Sequence, residues 1–352
     1  MPRAAITDLF GIELPVIQAP MAGSQGSSLA IAVSEAGGLG SLPCAMLAPA
    51  AVREELKKMT WATSKPYNVN FFVHRQPEPE PEREAEWRKI LAPYYVELGI
   101  EPSVLTPGPA RLPFNAEVAD VLEEFKPPVV SFHFGLPLRD LVTRVKSWGS
   151  KIISSATTVD EARYLEANGV DAVIAQGFEA GGHRGMFLTS DLNTQLGTVP
   201  LVRQIVKAVK IPVIAAGGIA DKESFAAAMA LGAAGVQVGT AYLCCPEATT
   251  SAVHRQALQS TDASTTAITN IFTGRPARGI MNRIMREIGP LNAWSPTFPL
   301  AAAAMHPLRQ KAESIGRNDF SSLWAGQNAR LCKEVPAGRL TRDLASTERL
   351  TP

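Results

Sequence analysis

Behind a short apolar run at residues 172–175, the chain reads Gln176-Gly-Phe-Glu-Ala-Gly-Gly-His183-Arg-Gly, a histidine set in a glycine-rich loop. Glycine lets a backbone take positive φ and approach a ligand closely, and a histidine among glycines has no apolar neighbours to pack on. His183 is therefore offered to something bound, with Gln176 and Gly181 beside it. The plain alternative is a flexible turn with an exposed histidine. Loops behind buried strands, however, are where barrel and open-sheet enzymes keep their chemistry.

Three other places carry groups suited to a polar site. In residues 67–73, Asn68, Asn70 and Phe72 share one face of a predicted strand. An asparagine near the end of a strand buried on both faces is costly unless it points into a polar site or bonds to neighbouring backbone. In residues 129–134, Val129, Ser131 and His133 share a face, which puts His133 at the inward end as a second functional imidazole or a hydrogen-bonded structural one. Gly217-Gly218 and Gly239-Thr240 each follow an apolar run, a place where backbone N–H groups bind phosphate and where simple turns also use glycine.

The elements that must position these groups follow a β-α rhythm. Strands are predicted at residues 15–19, 39–42, 67–73, 129–134, 151–155, 172–175, 212–216 and 235–238, with helix-like apolar spacing between them. Thr158-Val-Asp-Glu161 reads as a capping box, and Thr198 and Asp221 as helix caps. Eight strand–helix units fit an α/β fold of the (β/α)8 TIM-barrel type over residues 1–245. The rhythm stops at residues 75–128, a polar, proline-rich insertion that reads as a lid or a solvated loop. Residues 246–352 lose the alternation and read as a helical extension placed to pack on the barrel mouth. There, Trp324-Ala-Gly-Gln327 is the segment to connect with a site, ordinary packing being the simpler account.

Composition excludes several classes. The 352 residues are 46% apolar and 19% charged, and 34 Lys and Arg stand against 33 Asp and Glu. That balance gives no field for nucleic acid or an anionic membrane, and favours small-molecule partners. Cys44, Cys244, Cys245 and Cys332 lack metal-type spacing and read as reduced thiols in a cytoplasm. The N-terminus lacks an apolar stretch behind a basic start, and glycines at 232, 235 and 239 break the apolar run of residues 225–245 into helix, turn and strand. Oligomeric state is left open.

A phosphate cradle, an asparagine, a glutamine and a histidine around one mouth suit FMN, its phosphate by Gly218 and Gly239-Thr240, its ring by Pro20, Met21 and Ala22, and the Asn70 and Gln176 carboxamides on its polar edge or ribityl chain. A flavin carries its own redox chemistry, so the protein need supply position, electrostatics and one base.

These residues resemble the class I nitronate monooxygenases, formerly 2-nitropropane dioxygenases. The resemblance runs through Gln18-Ala-Pro-Met-Ala-Gly23, Asn68-Val-Asn-Phe-Phe72, the Gly-Gly-His loop, Ala215-Ala-Gly-Gly-Ile-Ala-Asp221 and Gln237-Val238-Gly239-Thr240. It implies a TIM barrel with non-covalent FMN that oxidises alkyl nitronates with O2 to a carbonyl compound and nitrite, through a flavin semiquinone and without NAD(P)H. The family's histidine falls on His183, which holds the anionic nitro group when protonated or takes the α-proton of a neutral nitroalkane when not. His133 is the expected second contact to the nitro oxygens. The Gly-Gly-His loop is shared with flavin-dependent enoyl reductases and some quinone reductases, so an NAD(P)H-dependent reductase is the first rival. A flavin-free phosphosugar isomerase or lyase, or a non-catalytic binding barrel, are the others. The Pro-Glu repeats at residues 77–82 stand outside the shared motifs and leave substrate entry open, as they do the choice between a propionate-type and a simple alkyl nitronate.

Overall fold

Short runs of Val, Ile and Ala bounded by Gly or Pro form buried strands, and the amphipathic stretches between them form the helices that cover the strands. The computed structural model describes residues 5–101 and 112–346. Its strands are β1 (Val16–Gln18), β2 (Gly40–Pro43), β3 (Tyr67–Phe72), β4 (Val129–His133), β5 (Lys151–Ala156) and β6 (Ala172–Gln176), then β7 (Gly182–His183), β8 (Val213–Ala216), β9 (Gly235–Val238), β10 (Thr266–Thr269) and β11 (Ala277–Ile280). Eight of them form one parallel sheet in the order β1-β9-β8-β6-β5-β4-β3-β2. A parallel bridge between Ile17 and Leu39 brings the two ends together, closing a TIM barrel.

The first half of the chain carries helices α1 (Ile6–Phe10), α2 (Ser27–Glu35), α3 (Pro49–Ala62), α4 (Pro81–Glu97), α5 (Ala116–Phe125), α6 (Arg139–Ser147) and α7 (Val159–Ala167). The second half carries α8 (Thr198–Ala208), α9 (Lys222–Ala230), α10 (Ala252–Gln259), α11 (Arg283–Glu287), α12 (Ala301–Ser314) and α13 (Ala337–Leu344). Inward-facing Ile17, Ile153, Ile174 and Ile214 cluster with Ile6 and Phe10 of α1, while outward-facing Val69, Phe71, Val130 and Phe132 belong to the larger strand–helix core. Period-two alternation thus divides β1, β4, β5, β6 and β8 between two cores. None of the described helices is long and apolar enough to cross a membrane.

Two expected boundaries shift. Helix α5 lies in the helical ring between α3 and α6, so the excursion after β3 ends before residue 116. Helix α13 packs on α2 and α9, and its Ala337, Leu340 and Leu344 join the barrel core. It supplies the eighth helix, which makes residues 246–336 an insertion before the last barrel element. Nor is that segment purely helical: β10, β11 and β7 form a three-stranded sheet.

The two insertions make one cap. Trp87, Leu91, Tyr94 and Tyr95 of α4 form a second core with Ile271, Phe272, Ile284, Met285, Met305, Leu308 and Phe320. Capping also differs from expectation in part. Asp221 and Ser224 make a reciprocal capping box, and Thr158 accepts from the Glu161 N–H. Thr198, by contrast, is the first helical residue of α8, and its N–H and hydroxyl go to the Glu179 carboxylate at 2.8 Å each. An acid from the histidine loop thus caps a barrel helix.

Candidate active site

At the C-terminal ends of the strands the barrel opens into a cavity of about 350 Å³. Pro20, Met21, Ala22, Asn70, His133, Gln176, Gly181, His183, Gly217, Gly218, Gln237, Gly239 and Thr240 all line it. Val238 does not. Its side chain points outward into the strand–helix core, and its carbonyl accepts the Ala19 N–H at 2.8 Å. Lining residues outside the sequence expectation include Phe72, Ser155, His254, Arg309 and Asn328, and Trp324 is part of the wall.

His183 is held in β7, which pairs antiparallel with β11 through Ala277↔His183 and Arg278↔Gly182. Its Nε2 lies 2.9 Å from Thr273 Oγ1. Around the ring stand Phe72, Phe134, Phe298 and Trp324, with centroids 6.0, 6.0, 5.4 and 5.5 Å away. Phe72 and Trp324 also line the cavity, which gives it an apolar side next to the imidazole.

The His183 carbonyl accepts from two side chains, Gln176 Nε2 at 3.0 Å and His133 Nε2 at 3.1 Å. A carbonyl only accepts, so His133 carries its proton on Nε2, and Nδ1 accepts from the Ser155 hydroxyl at 3.0 Å. Burial pushes the His133 pKa down to about 3, with the neighbouring Arg275 and Arg184 charges acting in the same direction. His133 is therefore neutral, with both ring nitrogens committed. It stands inward as alternation places it, but it clamps the loop and leaves no N–H for nitro oxygens, which corrects the expected contact.

Gln176 also holds the loop, its Oε1 accepting the Gly185 N–H at 2.7 Å and its Nε2 donating to the His183 carbonyl, which leaves one N–H and one lone pair for other partners. This carboxamide therefore serves the loop while still lining the cavity. Beneath the loop, fully buried Arg184 donates to the Gly177 carbonyl at 2.6 Å, the Gln176 carbonyl at 2.8 Å and Gln195 Oε1 at 3.1 Å. Burial lowers its pKa to about 10, which leaves it charged at neutral pH. Glu161, also fully buried, accepts from the Phe187 N–H at 2.6 Å and the Leu188 N–H at 3.2 Å. Opposite, Phe134 holds φ 75°, a left-handed conformation that costs a bulky residue about 1–2 kcal/mol. The Arg275 guanidinium lies 3.9 Å from its ring centroid.

The other end of the cavity is a cradle. Gly217 and Gly218 have φ of 115° and 71°, and a Cβ on Gly217 would sit 2.9 Å from Thr198 Oγ1. The cap reaches over this turn: Asn328 Nδ2 donates to the Gly218 carbonyl at 3.0 Å, and the Gly326 N–H donates to Thr240 Oγ1 at 3.0 Å. Thr240 keeps its own proton to give to an anion. Between cradle and loop, Gln237 Oε1 is buried with no protein partner, an acceptor waiting for a donor. Asn70 gives its Nδ2 to Ser131, at 2.9 Å to Oγ and 3.3 Å to the carbonyl. A flat, polar-edged ring with a phosphate tail fits these groups.

Fold and site together describe a (β/α)8 barrel whose C-terminal mouth opens on a cavity with His183 in its lining. Residues 3–347 match the family described as Nitronate monooxygenase. The chain is 42% identical to a nitronate monooxygenase of Pseudomonas aeruginosa over 96% of its length and 97% of the relative's. It is 39% identical to one of Paraburkholderia phytofirmans, over 97% and 94%. Among solved structures it resembles nitroalkane oxidase from Streptomyces ansochromogenes, with a TM-score of 0.88, 39% identity and 97% of both chains covered. FabK from Thermotoga maritima is similar at a TM-score of 0.73 and 30% identity, over 96% and 94%. The chain belongs to the nitronate monooxygenase family and is an oxidoreductase of that class.

Proposed function

We propose that the protein oxidises alkyl nitronates with O2 to a carbonyl compound and nitrite, using non-covalently bound FMN and no nicotinamide. The observation that carries this reading is an imidazole among four aromatic rings on a loop clamped from both sides, lining the same cavity as a glycine cradle suited to phosphate. FMN supplies the redox chemistry with O2 when bound. Gly217, Gly218, Gly239 and Thr240 would hold its phosphate, Pro20, Met21 and Ala22 its ring, and Asn70 and Gln237 its polar edge. His183 binds the nitro group or removes the α-proton of a neutral nitroalkane, while Phe72 and Trp324 keep water from the alkyl group. The free cysteines fit a reducing cytoplasm.

The likeness to FabK supports a second reading, an NAD(P)H-dependent flavin reductase of enoyl thioesters or quinones on the same barrel. Purified yellow protein should take up O2 and release nitrite from a pre-ionised alkyl nitronate without NAD(P)H, and its flavin should stay oxidised under anaerobic NADH. Absence of nitrite together with fast anaerobic bleaching would establish the reductase.

A further inference from the structure

Two cysteines from distant parts of the chain meet at the edge of the cradle. Cys244 follows the short helical turn Thr240–Tyr242, whose first residue is the cradle threonine, and Cys332 directly follows the turn Ala329–Leu331, into which the strap over the cradle continues. Adjacent Cys244 and Cys245 serve different cores. Cys245 packs in the barrel core, as does Cys44, while Cys244 belongs to a separate cluster with Leu243, Ala325 and Ala329, against which Cys332 packs. The thiols of Cys244 and Cys332 are hydrogen-bonded to each other, and Cys332 Sγ also stands 3.0 Å from the Thr240 carbonyl. Cys244 is fully buried and Cys332 half-buried, so solvent reaches the pair from the Cys332 side.

The function proposed above uses neither thiol. We infer that Cys244 and Cys332 form a reversible disulfide when the protein meets hydrogen peroxide, a modification that ties the strap covalently to the segment carrying the cradle. One sulfur attacks the O–O bond and becomes a sulfenic acid while water leaves. The other sulfur then displaces that hydroxyl, so the S–S bond forms, a second water leaves, and two thiols give two electrons and two protons to one peroxide. Contact between the pair favours the first step. The hydrogen bond from Cys332 lowers the Cys244 pKa against the effect of burial, helped by the charge of Arg255, whose Nη1 donates to the Cys244 carbonyl at 2.7 Å. In a reducing compartment such a pair stays open until an oxidant arrives.

The consequence is mechanical. Single hydrogen bonds join strap to cradle: Gly326 to Thr240, Asn328 to Gly218, and the Gln327 N–H to the Glu179 carbonyl at 2.9 Å, each a weak tie taken alone. A disulfide at residue 332 anchors the strap, and oxidised protein holds its cofactor longer. This consequence rests on the FMN reading; the disulfide does not.

The test treats flavin-loaded protein with a small excess of hydrogen peroxide, then denatures it, alkylates it with N-ethylmaleimide and maps its tryptic peptides by mass spectrometry. Alkylated cysteines should fall from four to two, and a peptide pair joined through Cys244 and Cys332 should appear and vanish with dithiothreitol. Neither Cys332→Ser nor Cys244→Ala should give a linked pair. Four alkylated cysteines after peroxide, a Cys244–Cys245 link, or a sulfinic acid on Cys332 with Cys244 still free would overturn the assignment. On dilution, FMN should leave the oxidised protein about tenfold or more slowly than the reduced one, a difference that peroxide should not produce in Cys332→Ser. Equal release rates would overturn the anchoring of the strap. Wild-type protein that takes up no FMN would sink the cofactor reading while the peptide map still decides the disulfide.

Discussion

The barrel and the cap hold the same histidine by different means. From the barrel side, Gln176 and His133 grip the His183 carbonyl, and Arg184 and Glu161 fasten the loop from below through buried charges. From the cap side, a short sheet and a threonine fix the ring. The loop backbone is therefore set from the α/β barrel and the ring's surroundings in part from the inserted segments, so a change in the cap can alter the ring while the Gly217–Gly218 turn stays on the barrel.

This division is open to attack at three levels. The largest effect is expected in the cap core, where Trp87→Ala should cost about 3–5 kcal/mol by leaving a cavity among Phe272, Met305 and Leu308. Hydrogen exchange should then show protection lost in α4 and α12 and kept in β4 to β6. Equal loss in both regions would mean that the two cores melt as one.

A smaller effect is expected at the seam. A Cβ on Gly181 would lie 2.6 Å from the Ala325 carbonyl carbon and the Gly326 nitrogen. Gly181→Ala should push the 324–328 strap away at a cost of about 1–3 kcal/mol and weaken flavin retention on dialysis. Unchanged retention would show that the strap adds nothing to the cradle.

The third effect is a pH slope, absent at neutral pH. Burial holds His133 of the barrel near 3 and His254 of α10 near 4, both from an ordinary 6.5, so both are neutral in the fold. Unfolded chains bind these protons below about 6.5, so stability declines as pH falls from there toward 4 and 3, by roughly 1.4 kcal/mol per pH unit per proton. Urea titrations across this range should flatten in His133→Gln and in His254→Gln separately. A slope unchanged in both variants would place the linkage elsewhere.

How much of this was legible in the sequence follows the same line. Barrel strands announce themselves through apolar runs and period-two alternation, which placed Asn70 and His133 on the inward face correctly. Alternation gives a face and not a partner, and so it does not show that His133 and Gln176 also hold the loop. Helix α13 was hidden by the long insertion between it and β9. Thr273 gave no signal, because a single threonine in a turn meets His183 only when β11 pairs with β7. The tail strands β10 and β11 fell in a region read as helices and loops.

The substitution His183→Ala tests most directly whether His183 is the acting side chain. The variant should keep its flavin, measured by absorbance against protein, and lose about 10²-fold or more in kcat/KM on a neutral nitroalkane. Wild-type turnover of neutral nitroalkanes by a flavin-loaded His183→Ala protein would contradict it.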